Sequence, residues 1–416
     1  MRNVFDQYKQ HENRLTHALA CCLAEDGVLL RSFIRWSTGD APTGTNLQIV
    51  EQRLPGEPEL DEAEAERLGL PDAWVFTDSG WALLIEAKVA SEIDVDQINR
   101  HLRTAERRGF TDRRLVLISV AIPTSRLPAN VSHRTWTGVY QWSATQVPMS
   151  KWARRLSGYM EVAERRMLAD KYLKEGTLTT FAGIQFETEN HYSYLEAKRL
   201  LKLLMDELRK RQLLKKKLGA NLAAPGRSSI TGKQSDSVWD YIPLAKAQGK
   251  VAFTSHPHLT LSIQEDQTVV QITVPNGVNR SLRKALLSGG LDGFKAMLAV
   301  FVANAAPILQ TDNGARPFVE VLQRHYKSQR SVPIRDANLE FDPRTALTAR
   351  DGVKVQDQWL KATFDAFSKP RSNLQFAIGL AFPYRSSSLV RKKMFVEIAE
   401  RSWLACRPVL AKMGLI

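Results

Sequence analysis

The spacing of apolar residues predicts an alternation of helices and strands in the first part of the chain. Apolar positions recur three and four residues apart, the period of an amphipathic helix, over residues 11–23, 94–109 and 151–168. Between them, residues 71–89 have the composition of two strands around a tight turn, and residues 113–121 that of a buried strand. This order predicts an α/β domain over residues 1–170.

The second part of the chain has a different pattern, which predicts an α+β domain. A long Leu- and Met-striped helix with a basic end is expected over residues 194–219, followed by a small, polar linker at 220–237. The elements expected after it are two antiparallel strands over 251–275, an apolar helix over 281–310, a strand at 374–383 and a helix near 390–412. We therefore expect a helical connector over residues 171–219 and a basic α+β domain over residues 220–416.

The two strands within residues 71–89 have a register that the sequence itself specifies. A three-residue hairpin loop that ends in a left-handed glycine fits Asp78-Ser79-Gly80. Thr77 then lies opposite Trp81, and counting outward places Asp72 opposite Glu86. Because side chains alternate between the faces of a strand, Glu86 and Lys88 share a face. Directly opposed Cβ atoms are about 4.5–5.5 Å apart, so two carboxylates and one ammonium group meet on one patch of sheet.

Two carboxylates this close together disfavour joint ionisation unless a cation lies between them. Mg²⁺, which binds oxygen ligands and commonly uses one or two protein carboxylates with substrate phosphates, fits such a pair. The alternative is a surface hairpin with an ordinary cross-strand ion pair. Leu83, Leu84 and Ile85 disfavour that alternative, because they predict that both faces of the strand are buried.

The residues Pro71-Asp72 followed by Glu86-Ala87-Lys88 resemble the motif of the PD-(D/E)xK nuclease superfamily. The resemblance covers residues 1–170 and implies a restriction-endonuclease-like αβββαβ core with a mixed sheet. A second Glu-Ala-Lys triplet, at residues 196–198, lies in a helical pattern, where its Glu and Lys point in different directions. It is therefore not counted as a site.

The resemblance also implies roles for individual residues. Asp72 and Glu86 would bind Mg²⁺, with Mn²⁺ as a substitute. Glu12, near the start of the first helix, would be a third ligand, either direct or through water. Lys88 would orient or deprotonate the attacking water, and Gln97 would position the lysine or the scissile phosphate. Arg100, His101 and Arg103, on the same helix as Gln97, are candidates for phosphate contact.

Charge is unevenly distributed along the chain, whose net charge is +14. Residues 1–170 carry 21 Lys and Arg against 23 Asp and Glu, so the remaining residues carry 37 against 21. A basic surface attracts polyanions, and we expect the second part to bind nucleic acid. The candidate residues are Arg209, Arg211, Lys215, Lys216 and Lys217. The alternative is that this part binds a protein partner or a second copy of the chain.

The sequence carries no feature of secretion or membrane insertion. The N-terminal residues lack the apolar segment of a signal peptide, and no apolar run approaches the roughly 20 residues of a membrane span. Cys21, Cys22 and Cys406 have no metal-binding spacing, and the first two are expected to fill the core. These observations indicate a cytoplasmic protein.

The function expected from the sequence is that of a Mg²⁺-dependent phosphodiesterase, an endonuclease rather than an exonuclease, with DNA as substrate. By analogy, it would serve in bacterial antiviral defence or restriction. Two alternatives stay open, an inactive nuclease-like module for DNA binding or assembly, and an RNA-directed nuclease. The sequence also leaves homo-oligomerisation open.

Overall fold

A computed structural model describes most of the chain, and it divides into two compact units, Met1–Thr180 and Phe181–Ile416. The described residues are 4–40, 42, 46–57, 70–186, 192–226, 236–245, 254–325, 327–328, 331, 334–348, 355–369 and 373–416. Half of the expected linker at 220–237, residues 227–235, therefore lies outside the described residues.

The first unit contains a five-stranded mixed sheet with helices on both faces. Its helices are α1 (His11–Ala24), α2 (Gly27–Thr38), α3 (Val95–Arg107), α4 (Trp136–Gln146) and α5 (Lys151–Ala169), and its strands are β1 (Gln48–Glu51), β2 (Ala73–Phe76), β3 (Trp81–Lys88), β4 (Asp112–Ser119) and β5 (Val131–Thr135). The strand order is β1-β2-β3-β4-β5. The first three strands pair antiparallel and the last three pair parallel, which confirms the α/β class with a mixed sheet.

Strand β3 lies at the centre of this sheet and is buried on both faces. Leu83 and Ile85 belong to a core that includes the apolar residues of α1, α2 and α5. Leu84 belongs to a separate cluster on the other face, with Ile98 and Leu102 of α3. The continuous apolar run that precedes Glu86 is thus explained by helices on both sides of the strand.

Helix α3 begins at a defined residue and presents one polar position to the sheet. The side chain of Asp94 accepts a hydrogen bond from the backbone N–H of Asp96, which satisfies one of the unpaired donors of the first turn. Its buried residues are Ile98, His101, Leu102 and Ala105. The helix therefore carries a histidine within its apolar face.

The second unit contains a six-stranded antiparallel sheet in the order β10-β9-β11-β8-β7-β6. The strands are β6 (Ser237–Pro243), β7 (His258–Gln264), β8 (Gln267–Val274), β9 (Arg316–His325), β10 (Ile334–Phe341) and β11 (Gln375–Pro383). The helices are α6 (Tyr194–Arg209), α7 (Gln212–Leu218), α8 (Arg280–Leu286), α9 (Gly290–Thr311), α10 (Pro343–Leu347), α11 (Asp357–Ser368), α12 (Phe395–Ala405) and α13 (Arg407–Lys412).

Helices α6 and α7 form part of the second unit rather than a separate connector. Leu201, Leu204 and Leu208 of α6 and Leu214 of α7 are buried in the same core as the strands of the six-stranded sheet. The second Glu-Ala-Lys triplet lies in α6, so the prediction that it is helical is confirmed. The division between the units falls ten residues after the boundary expected from the sequence.

Helix α9 is the long apolar helix of the second unit. With 22 residues and a mean hydropathy of 1.3 in its most apolar window, it is, among the described residues, the one helix long and apolar enough to cross a membrane. Phe294, Leu298 and Phe301 of this helix are nevertheless buried in the core of the second unit. These residues pack α9 against the core of the second unit.

Candidate active site

The hairpin formed by β2 and β3 has the register predicted from the sequence. Strand pairing runs from Ala73 opposite Ile85 to Phe76 opposite Ala82, so the next position outward pairs Asp72 with Glu86. At the loop, the N–H of Thr77 donates to Trp81 O at 3.0 Å. Gly80 has φ +88°, the left-handed conformation that a glycine adopts without strain. The predicted three-residue loop is confirmed.

Glu86 and Lys88 lie on one face of β3, as predicted. The Lys88 Nζ atom is 2.8 Å from Glu86 Oε1. The intervening residue, Ala87, belongs to the core on the opposite face, with the apolar residues of α1 and α5. Glu86 and Lys88 therefore share the face on which Leu84 packs against α3.

Asp72 is held at the entrance of β2 by the backbone of the opposite strand. Its Oδ2 atom accepts a hydrogen bond of 2.7 Å from the N–H of Ala87. Burial, and then the negative charge of Glu86, raise the pKa of the Asp72 carboxyl well above its usual range. The two carboxylates thus repel each other as the sequence implied, and a cation between them would relieve that repulsion.

Glu86 is almost completely buried, at 2% exposure, and its two oxygens have different surroundings. Oε1 pairs with Lys88, whereas Oε2 lies 3.2 Å from His101 Nε2 without hydrogen-bond geometry. Burial opposes ionisation of Glu86, but His101 and Lys88 outweigh it and lower its pKa. Burial also opposes the charge of Lys88, but Glu86 and Asp72 raise its pKa. Glu86 is therefore an anion and Lys88 a cation at neutral pH.

His101 occupies a different place from the one expected. It is 1% exposed and faces Glu86 across the sheet–helix interface, so it is not available for phosphate contact. Arg100 and Arg103 are exposed on the same helix, and Arg100 lies 3.8 Å from Asp94. His101 lies four residues after Gln97, so the two share a helix face; this spacing is the sequence signal that could have placed His101 beside the carboxylates.

Gln97 lies one helical turn before His101 and is half-buried. Within the described part of the chain, its side chain makes no hydrogen bond to Lys88 or to either carboxylate. The structure thus places Gln97 on the correct face of α3 and leaves its expected role as a prediction.

Glu12 lies beside the Asp72–Glu86 pair and links α1 to the end of β3. Its Oε2 atom accepts from the backbone N–H of Val89 at 2.6 Å, and both its oxygens accept from Ser91 Oγ, at 2.9 and 3.0 Å. The carboxylates of Glu12, Asp72 and Glu86 do not bring three oxygens within 4.8 Å of one another. The expected role of Glu12 as a metal ligand therefore stays a prediction.

Tyr172 was missed by the sequence analysis and lies within electrostatic reach of the site. Burial raises the pKa of its hydroxyl, Glu12 raises it further and Lys88 opposes the change. The turn that directs Tyr172 follows α5, where Lys171 adopts φ +59° and the N–H of Tyr172 donates to Met167 O at 2.8 Å. This is a Schellman-type helix end with lysine where glycine is usual.

The residues present fit a hard divalent cation. Asp72 and Glu86 supply anionic oxygens from adjacent strands, and Glu86 Oε2 is buried without a hydrogen-bond partner. The raised pKa of Asp72 is the expected property of such a carboxylate when no cation neutralises it.

The basic residues singled out in the second unit fall into two groups. Arg209 lies 2.9 Å from Asp240, and Arg211 pairs with the buried Glu400, so both arginines are held in ion pairs. Lys215, Lys216 and Lys217 are exposed on α7. The three lysines are therefore the members of the group that are open to a polyanion.

No protein-family model matches this chain, and no curated protein matches it.

Proposed function

We propose that the protein is a metal-dependent nuclease that hydrolyses phosphodiester bonds, with DNA as the favoured substrate. The observation that carries the proposal is the grouping of Asp72, Glu86 and Lys88 at the open end of one hairpin. Two carboxylates with a lysine on one sheet face combine a cation site with a charge that stabilises phosphate. An ordinary surface ion pair would not be buried to this extent.

Asp72 and Glu86 would hold Mg²⁺ or Mn²⁺, which polarises the phosphoryl oxygen and lowers the pKa of a bound water. Ala87 fixes Asp72 through its N–H, and the imidazole of His101 lies 3.2 Å from Glu86 Oε2 on the helix side. Both contacts orient the carboxylates before substrate arrives. Such preorganisation contributes to catalysis because little reorganisation is left for the reaction itself.

Lys88 would act as a hydrogen-bond donor and positive charge rather than as a base. Its raised pKa keeps the ammonium group protonated at neutral pH. A protonated lysine orients the attacking water and offsets the charge that develops on the phosphate. Gln97, on the neighbouring face of α3, would position Lys88 or the scissile phosphate.

The basic second unit would retain the polyanionic substrate, with the exposed lysines at residues 215–217 as its contact points. A role in bacterial restriction or defence would be consistent with such an enzyme. An RNA substrate and a non-catalytic, nucleic-acid-binding role are the outcomes against which the proposal is tested.

The test is incubation of the full chain with single- and double-stranded DNA and RNA, with Mg²⁺, Mn²⁺ or EDTA. We expect metal-dependent cleavage of DNA that falls by about 10²-fold or more in Glu86→Gln and Lys88→Met, since the metal and its partner charge stabilise the transition state by several kcal/mol. Lys198→Met, in the second Glu-Ala-Lys triplet on α6, is the matched control and should cleave normally. Nucleic-acid binding without cleavage by any metal-loaded sample would establish the non-catalytic alternative instead.

A further inference from the structure

A second cluster of potential metal ligands lies in the first unit, between α1 and β1. His17 and Cys21 are one turn apart on α1, and Glu51 is the last residue of β1. One ligand atom from each residue lies within 4.8 Å of the other two. Among the described residues, this is the group of three such side chains that meets this distance.

The individual distances are close to those around a single ion. Cys21 Sγ is 3.6 Å from His17 Nδ1 and 3.4 Å from Nε2, and Glu51 Oε2 is 2.6 Å from Nδ1. In tetrahedral coordination, with Zn–S near 2.3 Å and Zn–N near 2.05 Å, the sulfur and nitrogen ligands are about 3.5 Å apart. The sulfur–nitrogen distance has the required length, but Sγ is almost equally far from both ring nitrogens, so the Cys21 side chain must rotate toward one lone pair and the carboxylate must move by about 1 Å before one ion contacts all three ligands.

An unsatisfied oxygen is the second, independent observation at this cluster. Glu51 Oε1 is buried and has no hydrogen-bond partner, although Oε2 of the same carboxylate bonds His17. A buried carboxylate oxygen without a partner costs free energy, and a bound cation would satisfy it. The protein groups alone therefore leave the cluster incomplete.

The cluster is separate from the Asp72–Glu86 pair. Glu51 is paired with Ala73, which belongs to the core on the α1 face of the sheet, whereas Asp72 lies on the α3 face. His17 is buried, but Cys21 and Glu51 are partly exposed, and β1 is the edge strand. An ion can therefore enter from the edge of the sheet.

We infer that His17, Cys21 and Glu51 form a transition-metal site, with Zn²⁺ as the ion that their chemistry favours. A thiolate and an imidazole nitrogen suit a borderline-soft ion, whereas Mg²⁺ takes oxygen ligands. Three protein ligands leave a fourth position for water or an external ligand. The bound ion would join α1 to the edge of the sheet. This inference stands independently of the proposed nuclease function.

The test is metal analysis and Co²⁺ substitution of the full chain, neither of which depends on nuclease activity. We expect the protein to retain close to one equivalent of Zn²⁺ through purification and dialysis. After treatment with a chelator, one equivalent of Co²⁺ should produce a thiolate-to-cobalt charge-transfer band, which Zn²⁺ abolishes and excess Mg²⁺ does not. Absence of the band in the wild-type protein overturns the inference.

Two adjacent cysteines provide a matched pair of variants. Cys21→Ala should lose the charge-transfer band and weaken Zn²⁺ binding by at least about 10–100-fold, the range for loss of a supporting contact. Cys22→Ala, which removes a thiol buried in the core, should keep both. A band that persists in Cys21→Ala contradicts the assignment. Glu51→Gln, which preserves the shape of the side chain, should keep the band but bind Zn²⁺ more weakly. If Cys21→Ala does not fold, this variant is the test, and Zn²⁺ binding as tight as in the wild type contradicts the assignment.

Discussion

The carboxylate of Asp72 is held by the backbone N–H of Ala87, at 2.7 Å, across the open end of the β2–β3 hairpin. The middle residue of the Glu-Ala-Lys triplet therefore contributes through its main chain, while its methyl group packs on the opposite face of the sheet. The hydrogen bond fixes the aspartate beside Glu86, although the two carboxylates repel each other. The site thus maintains a repulsion that a cation can relieve.

Asp72→Asn should make the metal-free protein more stable at neutral pH, because it removes this repulsion while an amide oxygen can still accept from Ala87. The folded-state pKa of Asp72 lies above the unfolded value of 3.8, so the carboxylate destabilises the fold above that unfolded pKa, and the penalty disappears as the pH falls below it. Thermal unfolding in EDTA at several pH values checks this. If Asp72→Asn is less stable than the wild type at pH 7, and by the same amount at pH 3, repulsion between Asp72 and Glu86 does not destabilise the metal-free protein.

Replacement of His101 should change the metal requirement of cleavage. His101→Leu removes the group that faces Glu86 Oε2, and we expect the Mg²⁺ concentration for half-maximal activity to rise by about 10–100-fold. His101→Gln retains an N–H donor and should lie closer to the wild type. Arg103→Ala, on the exposed side of the same helix, is the control. Equal metal requirements in the Leu and Gln variants would show that the contact does not orient Glu86.

Glu12→Ala should destabilise the protein even without metal. It leaves the N–H of Val89 without its acceptor, a loss of about 1–3 kcal/mol for a buried donor and less here, where the donor is partly buried. Thermal unfolding in EDTA measures this effect, with the exposed Glu25→Ala at the end of α1 as the control. If Glu12 served only as a direct ligand, its removal would leave the melting temperature in EDTA unchanged.

Lys171→Gly should stabilise the first unit by a few tenths to about 1 kcal/mol, since a left-handed conformation costs a residue with a side chain about 1–2 kcal/mol and glycine loses part of that gain to chain entropy. Lys174→Gly, nearby and outside the left-handed region, should not stabilise. Differential scanning calorimetry of the two variants makes the comparison. The interpretation of Lys171 as strained is wrong if both variants shift the melting temperature alike.

Charge reversal at residues 215–217 should reduce the salt dependence of DNA binding. Each phosphate contact contributes about 0.9 to the slope of log K against log salt, so loss of three lowers its magnitude by up to about 2.7. The measurement uses the full chain carrying Asp72→Asn, which cannot cleave the probe. Arg209 and Arg211 are left intact because they form ion pairs within the unit. An unchanged slope would exclude these lysines as the contact points.

The hairpin was accessible to sequence analysis because its determinants are local. Side-chain alternation and the length of the loop around Gly80 specify which residue faces Asp72. The helical period likewise predicted the helix over residues 94–109, which is α3. The class of the first unit followed from the same alternation of elements.

The remaining features depend on contacts between distant residues or on weak patterns. Tyr172 approaches Glu12 only because α5 returns to α1, and Glu51 meets His17 across 34 positions of sequence. Strands β9 and β10 were missed, and β10 is mostly exposed and polar, so it lacks the alternation of a half-buried strand. The ion pairs of Arg209 and Arg211 were equally invisible in a count of charges.

The loop at residues 78–80 has a consequence for how this hairpin tolerates change. It begins about 20 Å along the chain from Asp72, at roughly 3.3 Å per residue, and its side chains take no part in the site. Its length nevertheless decides which residue stands opposite Asp72. Deletion or insertion of a single loop residue would shift the pairing by one position and exchange the faces of every side chain on one strand. Except at Gly80, whose left-handed φ favours glycine, the identity of the loop residues is therefore less constrained than the length of the loop.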